Sequence, residues 1–599
     1  MICKQLRILV ALATVVGTVT ISTPDSNAQE ILFNGSEFTV NEVTAFTTRN
    51  PSISFSTEGT FVVVWETEDP YSAADGLEGR LLDNSGIPLG GNLALSTYTS
   101  SVETSLPRVA ATSDGGFVVV WQDGGIQTAS GRDGHAAGVF ARRFDDAFSP
   151  LGPDFLVNSD TAYEQNNPDV AGTPGGGFVV VWQDHNFFGV PLVSRGINAR
   201  LFDSASTPLG PQFNVDVGTP FASQPYASVT VEGNIAGTWE NDGGISSVRA
   251  KVLDSAGGTV TPTFLASTYT AAHGVPRVSH LADGGFVIAW RIRDEPLGTG
   301  DEIRAQMFDS AGATVGSEFL VTESTPEDEH LQGLAPTPDG GFLAVWRRLF
   351  AQHVYARLFE STGQPVGSEF RVDTDTTAPT NVGVAADSVG NFVVTWTGLS
   401  YDEIRAQRLC FDVDSDGLCP SDDPCTNADD ERNINIKPMV QLKRINADPV
   451  PGNDSLKVQG EFVSATTFGS LDPIADGARV VLAANDGTVR VDIAIPGGAF
   501  DGTSGWKANG SGTRFQFKDR SGANQGIQQV KIQDRSKKAP NQVKVQFRGK
   551  DGTYPVVAGD EPPRATVVIG DGSIGQCGET GLLASNCKFN GSGTTLNCK

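Results

Sequence analysis

Residues Asp412 to Cys425 read DVDSDGLCPSDDPC, and within this 599-residue sequence their spacing specifies chemistry most directly. With Asp412 as position 1 of a loop, side-chain oxygens recur at Asp414, Asp416 and Asp423, a glycine stands at Gly417, and Leu418 offers its backbone carbonyl. A hard cation such as calcium takes about six to eight oxygen ligands, and this is the oxygen order of a twelve-residue calcium loop in which glycine permits the sharp turn. The expected metal ligands are therefore Asp412, Asp414, Asp416, Leu418 and Asp423, and calcium is the expected cofactor. Two departures stand out: Asp423 occupies a position where Glu is usual, and Pro420 brings no side-chain ligand. No amphipathic helix flanks the loop, so a metal-free acidic linker is the alternative.

Other catalytic signatures are missing. The sequence holds no G-x-S-x-G, no H-E-x-x-H and no P-loop, and its histidines, at 135, 185, 273, 280, 330 and 353, never fall at the i, i+4 spacing of zinc ligands on a helix. Carboxylates gathered from separate repeats would escape a linear reading, and Glu66, Asp184 and Glu240 stand close behind repeated tryptophans.

Those tryptophans define the elements that must position any site. Trp65, Trp121, Trp182, Trp239, Trp290, Trp346 and Trp396 are 50 to 61 residues apart, and GGFVVVWQD occurs twice, at Gly115–Asp123 and Gly176–Asp184. An almost wholly apolar run of this length reads as a strand buried on both faces. A second, alternating run follows each one, as in ARRFD at Ala141–Asp145 and ARLFD at Ala199–Asp203; a third resembles PQFNVD, and a fourth precedes the tryptophan strand in PRVAAT, PDVAGT and PRVSHL. Four short strands per unit of this size are the mark of a propeller blade. GSEFTVN at Gly35–Asn41 matches a blade's last strand, and the seventh unit stops after its third, so the N-terminal strand can close the ring. Core packing is the expected role of the tryptophans.

Over residues 31 to 411 the repeat resembles bacterial exported propeller-type repeat proteins of the GGFVVVW and ARRFD kind, which implies a fold and no activity. The DxDxDG loop followed by D-P-C is similar to a thrombospondin type 3 repeat, in which calcium orders an acidic, cysteine-containing segment.

In a four-stranded meander the second-to-third and fourth-to-first connections emerge on one face. Here those connections vary in length, and the longest carry Asp123, Arg132, His135, Asp184, His185, Phe187 and Arg195, a polar and aromatic mixture suited to a glycan or peptide. These are the candidate ligand-binding residues, with solvated loops as the alternative.

A net charge of −27 repels nucleic acid and anionic lipid. Lys4 and Arg7, a short apolar core and Ser26-Asn27-Ala28 form a secretory signal, and no later apolar run could span a bilayer. In an exported chain Cys410, Cys419, Cys425, Cys577, Cys587 and Cys598 are disulfide candidates; three lie near the linker and three near the end, so full pairing requires a bridge between clusters. From about Pro438 the pattern changes to clean alternation, as in SLKVQGEFV and QVKVQFRG, which suggests an immunoglobulin-like β-sandwich with Trp506 in its core.

The expected organisation is all-β: a signal peptide at 1–28, a seven-bladed β-propeller at 29–411, a thrombospondin type 3-like calcium linker at 412–437, a β-sandwich at 438–575 and a cysteine-containing tail at 576–599. The expected function is non-enzymatic recognition or adhesion, outside the cell or at its surface, of a glycan or protein ligand, with no nucleic-acid partner and no direct membrane insertion. Alternatives are a polysaccharide-active hydrolase or lyase with carboxylates in the propeller axis, and a structural component of a surface assembly.

Overall fold

A computed structural model describes residues 30–412, Cys419 and 434–599, apart from the segments 43–45, 69–74, 98–103, 125–131, 187–192, 217–220, 242–245, 269–271, 294–299, 324–326, 375–378, 399–400, 435, 446–451, 465–466, 486–488, 522, 571–575 and 581. Asp414, Asp416, Leu418, Asp423, Cys425 and Phe187 therefore lie outside the described residues, as does the signal segment.

The protein is all-β. Its N-terminal part forms seven small sheets, six of four strands and one of five, consistent with propeller blades. Their first strands are Thr47–Phe55, Thr104–Ala111, Glu164–Gly172, Ala222–Val229, Ala272–His280, Glu329–Pro336 and Thr380–Ala386, numbered here as sheets 1 to 7. Each first strand contacts those of the neighbouring sheets, and that of sheet 7 contacts that of sheet 1. The seventh sheet is completed by the start of the chain: Glu30–Phe33 and Phe38–Thr39 both pair antiparallel with Ile404–Asp412.

The apolar run FVVVW is explained by the space between sheets. In sheet 1, Val62 and Val64 pack towards sheet 2, while Phe61, Val63 and Trp65 pack towards sheet 7. Sheet 2 repeats this, with Val118 and Val120 facing sheet 3 and Phe117, Val119 and Trp121 facing sheet 1. A strand wedged between two neighbours has no solvated face, so period-2 alternation of polarity disappears. All seven repeat tryptophans are fully buried. The paired glycines before the run do separate jobs. Gly115 turns at φ +92°, and a Cβ on Gly116 would meet the Phe144 carbonyl oxygen at 2.4 Å.

Every first strand carries an irregularity near its start, where one or two residues drop out of register with the second strand: between Arg49 and Ser52, Ser105 and Arg108, Asn166 and Asp169, Ser223 and Tyr226, Gly274 and Arg277, Leu331 and Gly333, and Thr380 and Gly383. In six sheets the bulge contains a non-glycine residue in the left-handed region: Asn50, Leu106, Asn167, Gln224, Val275 and Asn381. Proline follows in five of them, tolerated because these strands form the inner edge of each sheet.

Beyond residue 434 the chain forms an eight-stranded and a four-stranded sheet that share one apolar core, with Val458, Val545 and Phe547 from the first and Val480, Ile493 and Val567 from the second. Trp506 belongs to this core and donates its indole N–H to the Pro496 carbonyl at 3.0 Å. The stretch 576–599, expected as a separate tail, is instead woven into these sheets: Gln576–Glu579 pairs with Arg564–Ile569, and Thr595–Cys598 pairs with Ile436–Lys443. Strands of only four residues leave too little alternation to be read from sequence. Cys410 is bonded to Cys419 and Cys587 to Cys598. Cys577 is disulfide-bonded as well. Among the described residues no helix is long and apolar enough to cross a membrane.

Val275 is the strained member of the bulge ring, because a β-branched side chain at φ +48° crowds its own backbone. Asparagine occupies the same place in sheets 1, 3 and 7. Val275→Asn is expected to raise stability by about 1 kcal/mol, read from the denaturant midpoint; a lower midpoint would contradict the strain.

Candidate functional site

Immediately after each bulge, one residue faces the axis around which the seven first strands are arranged. Its backbone pairs with the residue preceding the tryptophan, so the position is equivalent in every sheet: Ser52, Arg108, Asp169, Tyr226, Arg277, Gly333 and Gly383. These residues line an axial cavity of about 270 Å³. Sheets 2 to 5 thus place Arg108, Asp169, Tyr226 and Arg277 side by side around one space, while the glycines of sheets 6 and 7 leave room opposite.

The four side chains are coupled. The Arg277 guanidinium lies over the Tyr226 ring, 4.1 Å from its centroid. It also donates to the Gln332 carbonyl at 2.8 Å and the Pro276 carbonyl at 3.0 Å. Arg108 donates to the Pro107 carbonyl at 3.0 Å and lines the cavity beside Tyr226. Asp169 accepts the Ala227 N–H at 2.9 Å, as Ser52 accepts the Val109 N–H at 3.2 Å, so both also lace one first strand to the next. Burial raises the Asp169 carboxyl above its ordinary range, with Arg108 opposing. Burial also lowers Arg277, and the like charge of Arg108 adds to the effect. At Arg108 burial works the same way, but Tyr226 and Asp169 outweigh it and hold the charge.

The cavity continues towards the face of the long connections. A space of about 390 Å³ lies between sheets 1, 2 and 3, lined by Arg49, Glu66, Glu68, Gln122 and Asn167 among others. A smaller one of about 190 Å³ shares Arg108 and Tyr226 with the axial cavity, and Leu106 and Asn167 with the larger space. Exposed aromatics stand on the same face, at the starts of first strands or the ends of second strands: Phe221, Phe350 and Tyr401.

The carboxylates that follow the tryptophans have a structural duty. Glu66 accepts the Asn50 side-chain amide at 2.9 Å and, more closely, the Leu106 N–H of the next sheet. Gln183 accepts the Gln224 N–H at 3.3 Å and Glu240 the Val275 N–H at 3.3 Å, in the same geometry. Asp184 is buried and accepts from the Asn198 amide at 3.2 Å. Glu66, Gln183 and Glu240 thus tie one sheet to the next, while Asp184 is held within sheet 3. Glu329 is pushed up to about 7 by burial, and Arg348 at 3.1 Å opposes this; it does not line these cavities.

The expected rim residues divide. Arg132 bridges Asp123 and Asp154, at 2.9 Å to each, and stacks over Phe140 at 4.1 Å. Asp123 is fully buried, so this trio anchors a long connection to sheet 2 and offers little to a ligand. His135 packs edge-on against Tyr163. Burial lowers His185 to about 4, which leaves it neutral. Arg195 lies on the third strand of sheet 3, at Val193–Phe202. Of the expected metal ligands, Asp412 ends Ile404–Asp412 and is buried, and Cys410 in the same strand is bonded to Cys419. Sequence reasoning missed the axial residues. Their signal was present in PRVAAT, PDVAGT and PRVSHL, where a charged residue follows proline inside an otherwise buried strand.

No known protein family matches the chain, and no curated protein matches it by sequence. Similar solved structures include a Penicillium chrysogenum alpha-L-arabinanase complexed with arabinobiose (12% identity, 63% of this chain and 99% of that one, TM-score 0.37). An alpha-L-arabinofuranosidase from Fusarium graminearum is similar at 9% identity (63% and 98% covered, TM-score 0.35). A polysaccharide lyase is similar at 7% identity (63% and 100% covered, TM-score 0.41). The expectation of a non-enzymatic protein is corrected by these neighbours, all named as carbohydrate-cleaving enzymes, and it is not carried forward. Substrate and residue roles must come from the site itself.

The Arg132 clamp is testable through pH. Burial works to raise Asp154, but hydrogen bonds from Arg132 and Thr97 hold its carboxyl below the usual range. Its contribution is present above the ordinary carboxylate pKa and fades as pH falls through the lowered value. Arg132→Ala should cost about 3 kcal/mol near neutral pH and less at acid pH, where Asp123 and Asp154 can protonate. Equal loss at both pH values, in paired denaturation curves, would contradict the clamp.

Proposed function

We propose that the seven sheets close as a seven-bladed β-propeller, that the C-terminal sheets form a β-sandwich, and that the protein is an exported polysaccharide-cleaving enzyme, a hydrolase or lyase, with its active centre in the axial cavity. The observation that carries the functional reading is the meeting of Arg108, Asp169, Tyr226 and Arg277 at one equivalent strand position, where adjoining cavities lead from the long-connection face. An enclosed, polar space with convergent donors and a shifted carboxyl is where proton transfer is easiest to organise.

Tyr226 is the proposed proton-handling group. Its ring is stacked under Arg277 and it lines the cavity together with Arg108, so a developing phenolate would be balanced by two cations. Asp169, with its raised carboxyl, completes the charge balance. Phe221, Phe350 and Tyr401 supply flat apolar faces of the kind a sugar ring can lie against, and a chain threaded between them and the axis would lose much of its water. Carboxylates contribute through Asp169 alone here, since Glu66 and Glu240 are engaged between sheets.

Calcium belongs to the same proposal. The oxygen spacing from Asp412 to Asp423 supports it, and Cys410–Cys419 would hold the loop against sheet 7. Calcium there would order the connection to the C-terminal sheets and take no part in chemistry.

Two experiments follow. Mature, disulfide-intact protein incubated with a panel of neutral and acidic polysaccharides should release new chain ends, measured as reducing sugar, and Tyr226→Phe should lower the rate at least about a hundredfold with an unchanged melting temperature. No cleavage of any member, or full activity in the variant, would contradict the reading. Separately, Ala at Asp412, Asp414 and Asp416 together should abolish the calcium-dependent rise in melting temperature; an unchanged calcium response would contradict the metal loop.

A further inference from the structure

Arg108 and Arg277 raise a question that cleavage alone does not answer. They occupy the same position three sheets apart in a ring of seven, and so reach into the axial cavity from nearly opposite sides. Like charges in one small space repel, and Arg108 depresses Arg277. Among the described residues Asp169 is the one carboxylate lining this cavity, and one of its oxygens is already engaged by the Ala227 N–H; Glu66 acts on Arg108 from the adjoining space, where it is committed to the Leu106 N–H. The acceptors that hold both arginines in place are neutral: the carbonyls of Pro107, Pro276 and Gln332. Carbonyls fix where a guanidinium sits without cancelling its charge. The cavity is thus a net cationic space in a chain of net charge −27.

We propose that Arg108 and Arg277 form a carboxylate-binding subsite in the axial cavity, so that the polysaccharide taken by this protein contains hexuronate. The inference rests on the axial cavity being the active centre and names its substrate class. A planar carboxylate accepts two parallel N–H bonds from one guanidinium, and a second guanidinium from the other side completes its shell. Both forks are held by backbone carbonyls before a ligand arrives, so little ordering is needed on binding. Tyr226 lies between them, which brings its hydroxyl close to the carbon that bears the carboxylate. The acidic surface opposes an acidic polymer only at long range, where salt screens it beyond about 8 Å; the buried pair acts at contact.

The test is calorimetric titration of the full mature protein with D-galacturonate and D-glucuronate against D-galactose and D-glucose, with sulfate as an inorganic control. A uronate is expected to bind roughly tenfold or more tighter than its neutral counterpart. Arg108→Gln and Arg277→Gln should each remove most of that preference. Asp169→Asn should strengthen uronate binding, because it removes the internal competitor, a gain that damage to the fold cannot mimic. Equal affinity for neutral and acidic sugars, sulfate binding as tightly as uronate, or weaker uronate binding in Asp169→Asn would overturn the subsite. The two readings fail separately: uronate preference without cleavage of any polymer leaves the subsite and removes the enzyme, whereas cleavage of neutral polymers without uronate preference does the reverse.

Discussion

A peptide N–H that leaves a strand's ladder must find another acceptor or meet water. At the inner end of each sheet this protein breaks the ladder on purpose, and at three junctions the freed N–H is taken by a side chain of the preceding sheet. Glu66 receives Leu106, Gln183 receives Gln224 and Glu240 receives Val275. Each acceptor stands directly after a buried tryptophan, so the packing that fixes the tryptophan also fixes the latch. At these three junctions the exchange holds Leu106, Gln224 and Val275 in the left-handed conformation the bulge requires.

The bulge is also what turns a packing strand into a chemical one. Regular alternation would carry each first strand through the centre with its side chains committed to neighbouring sheets. Dropping out of register at Ser105–Arg108 or Gly274–Arg277 re-aims the next residue at the axis. Local strain is concentrated here, in Leu106 and Val275 especially, beside the charged residues that line the cavity. The same position can hold Ser, Arg, Asp, Tyr or Gly without disturbing the core, because the tryptophan strand behind it bears the packing. A repeated scaffold thereby presents seven variable positions, five of them bearing side chains, to one space.

Much of the architecture was legible in the sequence because both faces of the tryptophan strand are buried, and such a strand must be continuously apolar. The GG turns and the closing N-terminal strand were legible for similar local reasons. The short strands at Gln576–Glu579 and Thr595–Cys598 were not, as four residues carry almost no periodicity. The site was half written. Arg108, Asp169 and Arg277 are visible inside strand segments of the sequence, but their convergence comes from the first strands meeting around one space, which no linear window contains. Glu66 and Glu240 were visible as acids behind tryptophans, and only the positions of Leu106 and Val275 reveal them as latches. Arg132 and Asp123, both expected among the ligand-binding residues, are bound to each other.

The central claim is that the axial cavity receives the substrate. It is tested most directly by determining the structure of the Tyr226→Phe protein with a uronate-containing oligosaccharide. The account predicts a sugar carboxylate seated between Arg108 and Arg277, with the chain leading out past Asn167 towards the long-connection face. A sugar bound on the C-terminal sheets, or on the outer loops with the axial cavity untouched, would contradict it.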